Sequence, residues 1–390
     1  MNRSHKDQYD IIIIGAGPAG LKAGLTVTET SGLDVLIIDK NTPWEKPIAC
    51  AEGVGKRGLE ESLEVKPSWI RQVIDKATFH SPDNSCITYR DKNKGYIINR
   101  ALMQKDICAD IYSRGGSFLF GNRAIAIGAF TNGYRQVLLQ DGSKVKARVV
   151  IDASGPIGLL GRGEEICWKP YDLEPAYFAV TENVAIPTDT VHLHAGGTIA
   201  PGGYAWAFPR EEGCANIGVV IGSRFKKELN IKELLDNYLK THYPHAKVVK
   251  RFAGAIPCGY RRKTIALPGL FKAGDAASTI NPISRAGIAE AFISGGIAAN
   301  CAIELLNSTD SKSQQSFCRE YEKRWYKARG FRHLKMAKVK DSLSAVPDED
   351  YNRAARSLQS LRMEEITMSK IFKISLGRFP RLVWALRHLM

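Results

Sequence analysis

Apolar positions near the N-terminus fall into two short runs with a helical stretch between them. Residues 9–14 are almost wholly apolar and β-branched, which predicts a buried strand. Residues 21–29 have helical character, and a second apolar run covers residues 35–38. The order strand, helix, strand is typical of an α/β fold with a parallel sheet.

The first run leads directly into the glycine-rich sequence GAGPAG at residues 15–20. We expect Gly15 to allow a tight turn, Gly17 to let the backbone approach a pyrophosphate, and Gly20 to permit close packing of helix on strand. Free N–H groups in the first helical turn, which contains Ala19, then attract phosphate. Because the motif has its full strand and helix context, it predicts a dinucleotide site.

Two residues at the end of the second run complete this predicted site. Asp39 is placed where an acidic side chain accepts hydrogen bonds from ribose hydroxyls, and Lys40 follows it. An acid at this position disfavours a 2′-phosphate on the ribose. The cofactor is therefore FAD or NAD.

Two later segments favour FAD. Residues 149–155 read VVIDASG, which predicts another buried strand with Asp152 and Gly155 at its end, beside the first site. Residues 270–281 read LFKAGDAASTIN, and RAGIAEA follows at residues 285–291. Together, residues 270–281 and 285–291 resemble the second flavin motif of the aromatic-hydroxylase superfamily, in which a strand ends in Gly-Asp and a helix begins soon after.

The resemblance implies cofactor contacts for five residues of this region. Asp275, preceded by Gly274, bonds the ribityl chain. Gly287 and Ile288, with Arg285 just before them, lie against the pyrimidine end of the isoalloxazine. N–H groups at a helix start stabilise negative charge on the reduced flavin there.

Residues 95–100 read GYIINR and also resemble the superfamily, which implies that Arg100 contacts the flavin from a helix start. The usual Phe-Asp pair that follows is replaced by Met103 and Gln104. The alternative for Arg100 is a salt bridge at the surface. Ala124 is a further predicted cofactor contact.

Two more motifs narrow the choice within this superfamily. Residues 47–54 read PIACAEGV, and residues 201–209 read PGGYAWAFP. Both resemble the geranylgeranyl reductase family, and the resemblance covers roughly residues 9–307. It implies that hydride from N5 of reduced FAD saturates double bonds of a geranylgeranyl (isoprenoid) lipid chain.

Tyr204, Trp206 and Phe208 alternate along a predicted strand, so their rings share one face. We expect this face to bind the isoprenoid chain, each buried methylene of which contributes about 0.8 kcal/mol. We also expect Tyr204 and Trp206 to have catalytic roles. The alternative is that the rings belong to the core of a second domain.

The family resemblance places Cys50, Ala51 and Gly53 beside the flavin. Cys50 is a predicted catalytic residue, which either positions the alkene or takes part in proton delivery. The alternative is an inert buried thiol. Glu52 is a weaker candidate in the same loop.

The motifs and the alternating runs of the middle of the chain predict an α/β architecture with three parts. These are a discontinuous Rossmann-like FAD-binding domain, an inserted α+β substrate domain and a helical C-terminal region. The predicted ranges are 1–75, 98–175 and 265–308 for the first part, 76–97 and 176–264 for the second, and 309–390 for the third.

Charge and cysteine usage limit the partners. The net charge is +15, and residues 311–390 carry 18 Lys plus Arg against 8 Asp plus Glu. Such a segment attracts anionic lipid or an acidic protein. The predicted electron donor is NAD(P)H or ferredoxin, and ferredoxin would be such an acidic partner. No nucleic-acid module is recognised, and we expect no nucleic-acid partner. The eight cysteines lack CxxC spacing, so we expect no metal site and reduced thiols.

No signal peptide and no run of roughly 18 apolar residues is found. We therefore expect a cytoplasmic protein that lies peripherally on the inner face of the membrane. Two other functions stay open: an FAD-dependent monooxygenase, hydroxylase or halogenase of the same superfamily, and a basic noncatalytic flavoprotein that binds lipid or nucleic acid.

The segment 371–390 mixes apolar and basic residues, which fits a helix on an anionic membrane surface or a helix that packs on the substrate domain. If it binds membrane, deleting these residues should weaken cosedimentation with anionic liposomes while FAD stays bound. Unchanged partitioning of the truncated chain would contradict the membrane role.

Overall fold

The structure is a computed structural model that describes residues 6–42, 44–45, 48–159, 172–259, 264–308, 313–344, 346–359 and 363. Within these ranges the chain forms two eight-stranded sheets and helices that pack on them. The strands are β1 (Gln8–Ile14), β2 (Val35–Asp39), β3 (Gly53–Gly55), β4 (Ile70–His80), β5 (Cys86–Ile98), β6 (Ser117–Phe120), β7 (Ala124–Ile127), β8 (Arg135–Leu139), β9 (Lys144–Asp152), β10 (Leu173–Glu182), β11 (Thr190–His194), β12 (Tyr204–Pro209), β13 (Cys214–Val220), β14 (Lys247–Pro257), β15 (Ala266–Leu267) and β16 (Leu270–Lys272). The α-helices are α1 (Pro18–Thr30), α2 (Lys56–Glu60), α3 (Arg100–Ser113), α4 (Ile231–His242), α5 (Ile288–Asn307), α6 (Gln314–Trp325), α7 (Phe331–Leu343) and α8 (Asp348–Gln359), with a π-helical segment (Tyr326–Gly330) between α6 and α7.

The first sheet has the order β15-β16-β9-β1-β2-β6, and its strands from β16 to β6 run parallel. Strand β1 lies between β2 and β9 and has core clusters on both faces, which explains its unbroken apolar run. β7 and β8 extend the sheet as an antiparallel pair beside β9. The predicted Rossmann-like arrangement is confirmed.

Helix α5 crosses α1 at very close range. A Cβ on Gly295 would lie 2.1 Å from the carbonyl oxygen of Ala19, so only glycine allows this approach. Within the described ranges α5 is also long and apolar enough to cross a membrane, by length and composition only. Half of the apolar stretch of α5 is buried inside the molecule, and core helices of other proteins are equally long and apolar. Length and composition are therefore weak evidence for a span.

The second sheet has the order β14-β10-β13-β12-β11-β4-β5-β3 and is antiparallel except where β11 pairs with β4. The alternating runs in the middle of the chain, at residues 177–181 and 216–221, lie largely in β10 and β13, and α4 covers one face of the sheet. The domain boundary predicted at residue 75 falls inside β4, because that strand pairs with β5 from Ile70 onward. The boundary at residue 175 likewise falls inside β10.

The C-terminal helices contact both sheets. Tyr321 of α6 donates a hydrogen bond to the carbonyl oxygen of Lys272 in the first sheet. Lys340 of α7 forms ion pairs with Asp172 and Glu174 at the start of β10. The helical C-terminal region is confirmed for the described residues, whereas the segment 371–390 lies outside them.

Four histidines meet between β4, β11 and α4. The His80 Nε2 atom lies 3.0 Å from His192 Nδ1, and the rings of His80 and His194 stack with centroids 4.0 Å apart. His242 packs edge-on against His194 at 4.7 Å. Burial, together with the neighbouring histidines, lowers the pKa of His80 to about 4 and that of His194 to about 2. Among the described residues no group of His, Cys, Asp or Glu could hold a metal ion.

Because these histidines stay neutral in the folded chain, the fold should lose stability in mild acid. Their pKa is lower in the folded than in the unfolded chain, so the unfolded chain binds more protons once the pH falls below about 6.5. Because His194 is protonated only in the unfolded chain, it should by itself lower the free energy of unfolding by about 2 kcal/mol when the pH falls from roughly 7.5 to 5. Urea unfolding at both pH values measures this loss.

Two variants assign the pH effect. His194→Leu should reduce the loss of stability on acidification, whereas His245→Gln, at an exposed histidine outside the cluster, should leave it unchanged. Equal acid sensitivity of His194→Leu and the parent chain would contradict the assignment.

Candidate active site

The three motif glycines at the end of β1 face different surroundings. Gly15 has φ +103°, and a Cβ there would lie 2.3 Å from the carbonyl oxygen of Ala153. A Cβ on Gly20 would lie 1.9 Å from the carbonyl oxygen of Gly15. At Gly17, by contrast, no atom of the described residues, apart from its two chain neighbours, lies within 4 Å of where a Cβ would be. Packing therefore requires Gly15 and Gly20, whereas Gly17 borders open space at the start of α1.

Asp39 ends β2 beside this glycine loop. Its Oδ2 accepts a hydrogen bond from the N–H of Ala16 at 2.8 Å, and its Oδ1 accepts one from the N–H of Asn41 at 2.9 Å. Each carboxylate oxygen retains a lone pair, so the side chain can fix the loop and still accept a hydroxyl. The neighbouring Lys40 is exposed.

The segment after β16 packs on the first turn of α1. A Cβ on Gly274 would lie 2.8 Å from Cβ of Ala19, and the Gly274 N–H donates to Ser294 Oγ of α5 at 3.0 Å. Residues about 250 positions apart thus lie side by side, as the two flavin motifs require.

Asp275 follows Gly274 and carries a partly buried carboxylate. Burial raises its pKa to about 6, although Arg100 opposes the rise, and no described residue donates a hydrogen bond to it. Its Oδ1 lies 3.7 Å from where a Cβ would be on Gly287, the N-cap of α5, which Ile288 then begins. An unfilled acceptor therefore lies beside the free N–H groups of a helix start.

Arg100 is the first residue of α3, as predicted. Its backbone N–H donates to Glu52 Oε1 at 3.3 Å, and its Nε donates to Gln104 Oε1 at 2.8 Å. Gln104 in turn donates to the carbonyl oxygen of Ala16 in the glycine loop at 3.4 Å. Gln104, one of the two residues that replace the usual Phe-Asp pair of the superfamily, thus supports the glycine loop. The sequence analysis did not assign this role.

The loop that contains Cys50 adjoins the start of α3. Cys50 Sγ accepts a hydrogen bond from the Glu52 N–H at 3.2 Å. Glu52 adopts φ +65°, and burial raises its pKa against the opposing effect of Arg210 and Arg71, which lie 3.5 Å and 3.6 Å away.

The neighbours of Cys50 touch the aromatic strand. A Cβ on Gly53 would lie 2.9 Å from the ring of Phe208, so this ring lies directly on the backbone. Ala51 packs against the cluster that contains Trp206. The loop from Cys50 to Gly53 therefore contacts the second sheet directly. It is linked to the glycine loop through the hydrogen bonds of Arg100 and Gln104.

Tyr204, Trp206 and Phe208 share one face of β12, with centroids 6.2 Å and 6.3 Å apart in sequence order. Trp206 is buried and donates from Nε1 to Asn216 Oδ1 at 3.1 Å. The Tyr204 hydroxyl donates to the carbonyl oxygen of Ser284 at 2.7 Å, and burial raises its pKa to about 12. The indole is thus a core residue, whereas the two outer rings are only partly buried.

Arg285 has its side chain directed toward the second sheet. Its Nε donates to Glu174 at 2.8 Å, Nη2 donates to the carbonyl oxygen of Gly202 at 2.8 Å, and Nη1 donates to that of Ile283 at 2.7 Å. A buried guanidinium needs such partners. The Arg285 side chain therefore anchors the loop before α5. A contact between Arg285 and the cofactor would have to be made by its backbone.

Three other predicted cofactor contacts differ in their surroundings. Asp152 is fully buried, and its carboxylate binds Ser154 and lies 3.4 Å from the Lys272 ammonium, so it is already engaged within the protein. Gly155 has φ +93° and open space at its Cβ position. Ala124 lies in a core cluster of the first sheet.

Comparisons with known proteins agree with this geometry. Residues 172–256 match the model of the geranylgeranyl reductase catalytic domain, and residues 10–169 match that of lycopene cyclase protein. A digeranylgeranylglycerophospholipid reductase of Methanosarcina acetivorans is 32% identical over 98% of this chain and 97% of its own length. The chain belongs to the geranylgeranyl reductase family. A second such reductase, from Methanococcoides burtonii, is 32% identical over 98% of the chain and 96% of its own length.

Solved structures support the same assignment. A geranylgeranyl bacteriochlorophyll reductase-like protein of Thermoplasma acidophilum superposes with a TM-score of 0.87 at 25% identity, over 98% of this chain and all of that one. A flavin-dependent brominase has a TM-score of 0.65 at 18% identity over 96% of this chain and 99% of its own, which shows a shared fold alone. The wider fold is that of flavin-dependent enzymes.

The residues of this geranylgeranyl reductase family member fit FAD as the cofactor. The space at Gly17 leaves room for a pyrophosphate, and the unfilled Asp275 carboxylate can accept hydroxyls of a ribityl chain. The start of α5 at Gly287 offers N–H groups for the ring. Asp39 is placed to receive the ribose.

Gly17→Ala should weaken FAD binding without destabilising the fold. No protein atom opposes the new methyl group, so stability of the apoprotein should change by less than about 0.5 kcal/mol. A pyrophosphate that needs this space should bind about tenfold more weakly or worse, equivalent to roughly 1.4 kcal/mol. Flavin fluorescence titration of the apoprotein measures the affinity.

Gly32→Ala is the matched control, because Gly32 also has open space at its Cβ position but lies beyond the far end of α1. It should leave FAD affinity unchanged. Equal affinity of the Gly17→Ala variant and the parent chain would contradict the placement of the pyrophosphate.

Proposed function

We propose that this protein saturates double bonds of geranylgeranyl chains carried by a glycerophospholipid, with FAD as its redox cofactor. The observation that carries the proposal is the contact between the Cys50 loop and the aromatic face of β12, where Phe208 lies against Gly53. This contact brings an apolar surface to the loop that hydrogen-bonds the start of α3. The family membership of the chain supports the same reaction.

An isoprenoid chain offers no polar handle, so its binding depends on apolar burial. The partly buried rings of Tyr204 and Phe208 can hold the chain and exclude water, and Trp206 supports them from the core. When bound, reduced FAD supplies the hydride equivalent. The protein must then supply a proton to the other alkene carbon.

Cys50 is the best proton donor among the three predicted catalytic residues. Its Sγ accepts a hydrogen bond from Glu52, which leaves the S–H proton available. The Tyr204 hydroxyl is committed to Ser284, and the Trp206 N–H is committed to Asn216. We therefore assign proton delivery to Cys50 and binding to the aromatic face.

A reductase of membrane lipids needs an electron donor and access to the bilayer. NAD(P)H or a reduced ferredoxin supplies the electrons, and the basic C-terminal part suits an acidic protein. A substrate with long apolar chains resides in a bilayer. We infer a cytoplasmic protein that contacts the inner face of the membrane peripherally.

The decisive test incubates the purified flavoprotein, reduced without oxygen, with a geranylgeranyl glycerophospholipid and analyses the lipid by mass spectrometry. Each reduced double bond should add one H2 to the lipid mass. Cys50→Ala should keep FAD bound but lower turnover by about 10²-fold or more, the usual contribution of general acid catalysis. Cys86→Ala, at a partly exposed cysteine of β5, is the control and should keep full turnover.

Two results would contradict the proposal. An unchanged lipid mass with a fully reduced cofactor would exclude the reductase. Oxygen uptake with addition of one oxygen atom to a substrate would favour a monooxygenase.

A further inference from the structure

Strand β13 presents two residues to the aromatic face of its neighbour β12. Asn216 pairs with Phe208 in the sheet register, and Gly218 pairs with Trp206. Being two positions apart, Asn216 and Gly218 lie on the same side of the sheet. A Cβ on Gly218 would lie 2.4 Å from the indole ring, so glycine makes room for the ring while Asn216 meets its N–H.

Asn216 is almost fully buried and bridges two elements. Its Oδ1 accepts from Trp206 Nε1 at 3.1 Å, and its Nδ2 donates to the carbonyl oxygen of Cys50 at 3.1 Å. An indole can only donate and a carbonyl can only accept, so the amide has one workable orientation. Asn216 therefore joins the aromatic strand to the backbone of Cys50 through two matched hydrogen bonds.

Cys50 also packs against the core of the first sheet, but the other backbone hydrogen bonds of this loop are made beyond it. The carbonyl of Glu52 accepts from the N–H of Ile98, and the Glu52 carboxylate accepts from the N–H of Arg100. Within the described ranges, Asn216 supplies the one hydrogen bond made by the Cys50 backbone. This amide therefore provides the hydrogen bond that fixes the Cys50 backbone relative to the indole of Trp206.

We propose that Asn216 is a positioning residue: by holding the Cys50 backbone carbonyl beside the aromatic strand, it sets where the Cys50 thiol lies. The assignment of that thiol to the alkene rests on the proposed function, whereas the positioning itself does not. Asn216 touches neither substrate nor cofactor in this account and acts through Cys50 and Trp206.

The test measures alkylation of Cys50 by iodoacetamide in the folded holoprotein, resolved by peptide mass spectrometry. The ratio of the Cys50 rate to the Cys86 rate reports the loop and not global unfolding, because both thiols are partly exposed in one protein. Asn216→Leu removes both hydrogen bonds at similar volume. Asn216→Asp keeps the acceptor for Trp206 but loses the donor to Cys50.

Thr181→Val is the matched control, since buried Thr181 donates one hydrogen bond to the carbonyl oxygen of Ala215, the residue before Asn216 in β13, and not to the Cys50 loop. Both Asn216 variants should raise the ratio about fivefold, the factor that one neutral hydrogen bond contributes, and Thr181→Val should not change it. If Asn216→Leu does not fold, Asn216→Asp carries the test. A ratio that rises no more in the Asn216 variants than in Thr181→Val overturns the proposal.

Turnover separates this proposal from the proposed function. In a competent reductase, Asn216→Leu should lower kcat by about tenfold with little change in KM, because the chain-binding rings remain. A changed alkylation ratio in a protein that reduces no geranylgeranyl lipid would leave the positioning role standing and reject the reductase. A kcat that stays at the parent value while the ratio rises would overturn the link between thiol position and turnover.

Discussion

The site depends on how closely the first turn of α1 is packed between its neighbours. Gly20 brings α1 against the turn at Gly15, and Gly295 brings α5 against Ala19, at distances that no larger residue permits. This packing aligns the starts of α1 and α5 beside the segment that contains Asp275. Two helix N-termini and an unfilled carboxylate acceptor therefore converge, and binding of an anionic dinucleotide follows from that convergence.

A second constraint joins the two sheets through buried charge. Arg285 and Lys340 approach Glu174 from the loop before α5 and from α7, and all three are almost wholly buried. Such a network contributes little net stability, because desolvation offsets much of the attraction, but the loss of one partner leaves an uncompensated charge. The network acts on geometry, because it fixes the loop before α5 to the sheet that carries the aromatic rings.

Local sequence predicted the parts of this molecule that local physics determines. The β1–α1–β2 unit, the start of α3 at Arg100 and the shared face of Tyr204 and Phe208 all follow from patterns over a few residues. The supporting contacts were missed because they join distant residues: Asn216 meets Cys50 across 166 positions, and Gln104 meets Ala16 across 88. The engagement of Arg285 with Glu174 was missed for the same reason.

The last described helix has a consequence for how the chain is made. Asp348, at the start of α8, accepts hydrogen bonds from Gly197 and Thr198, and Arg356 pairs with Asp83, which the ribosome adds some 270 residues earlier. The β4–β5 hairpin therefore lacks this neighbour until α8 has been synthesised. Until then the second sheet exposes this surface to solvent, and long-range closure of this kind is slow and prone to aggregation.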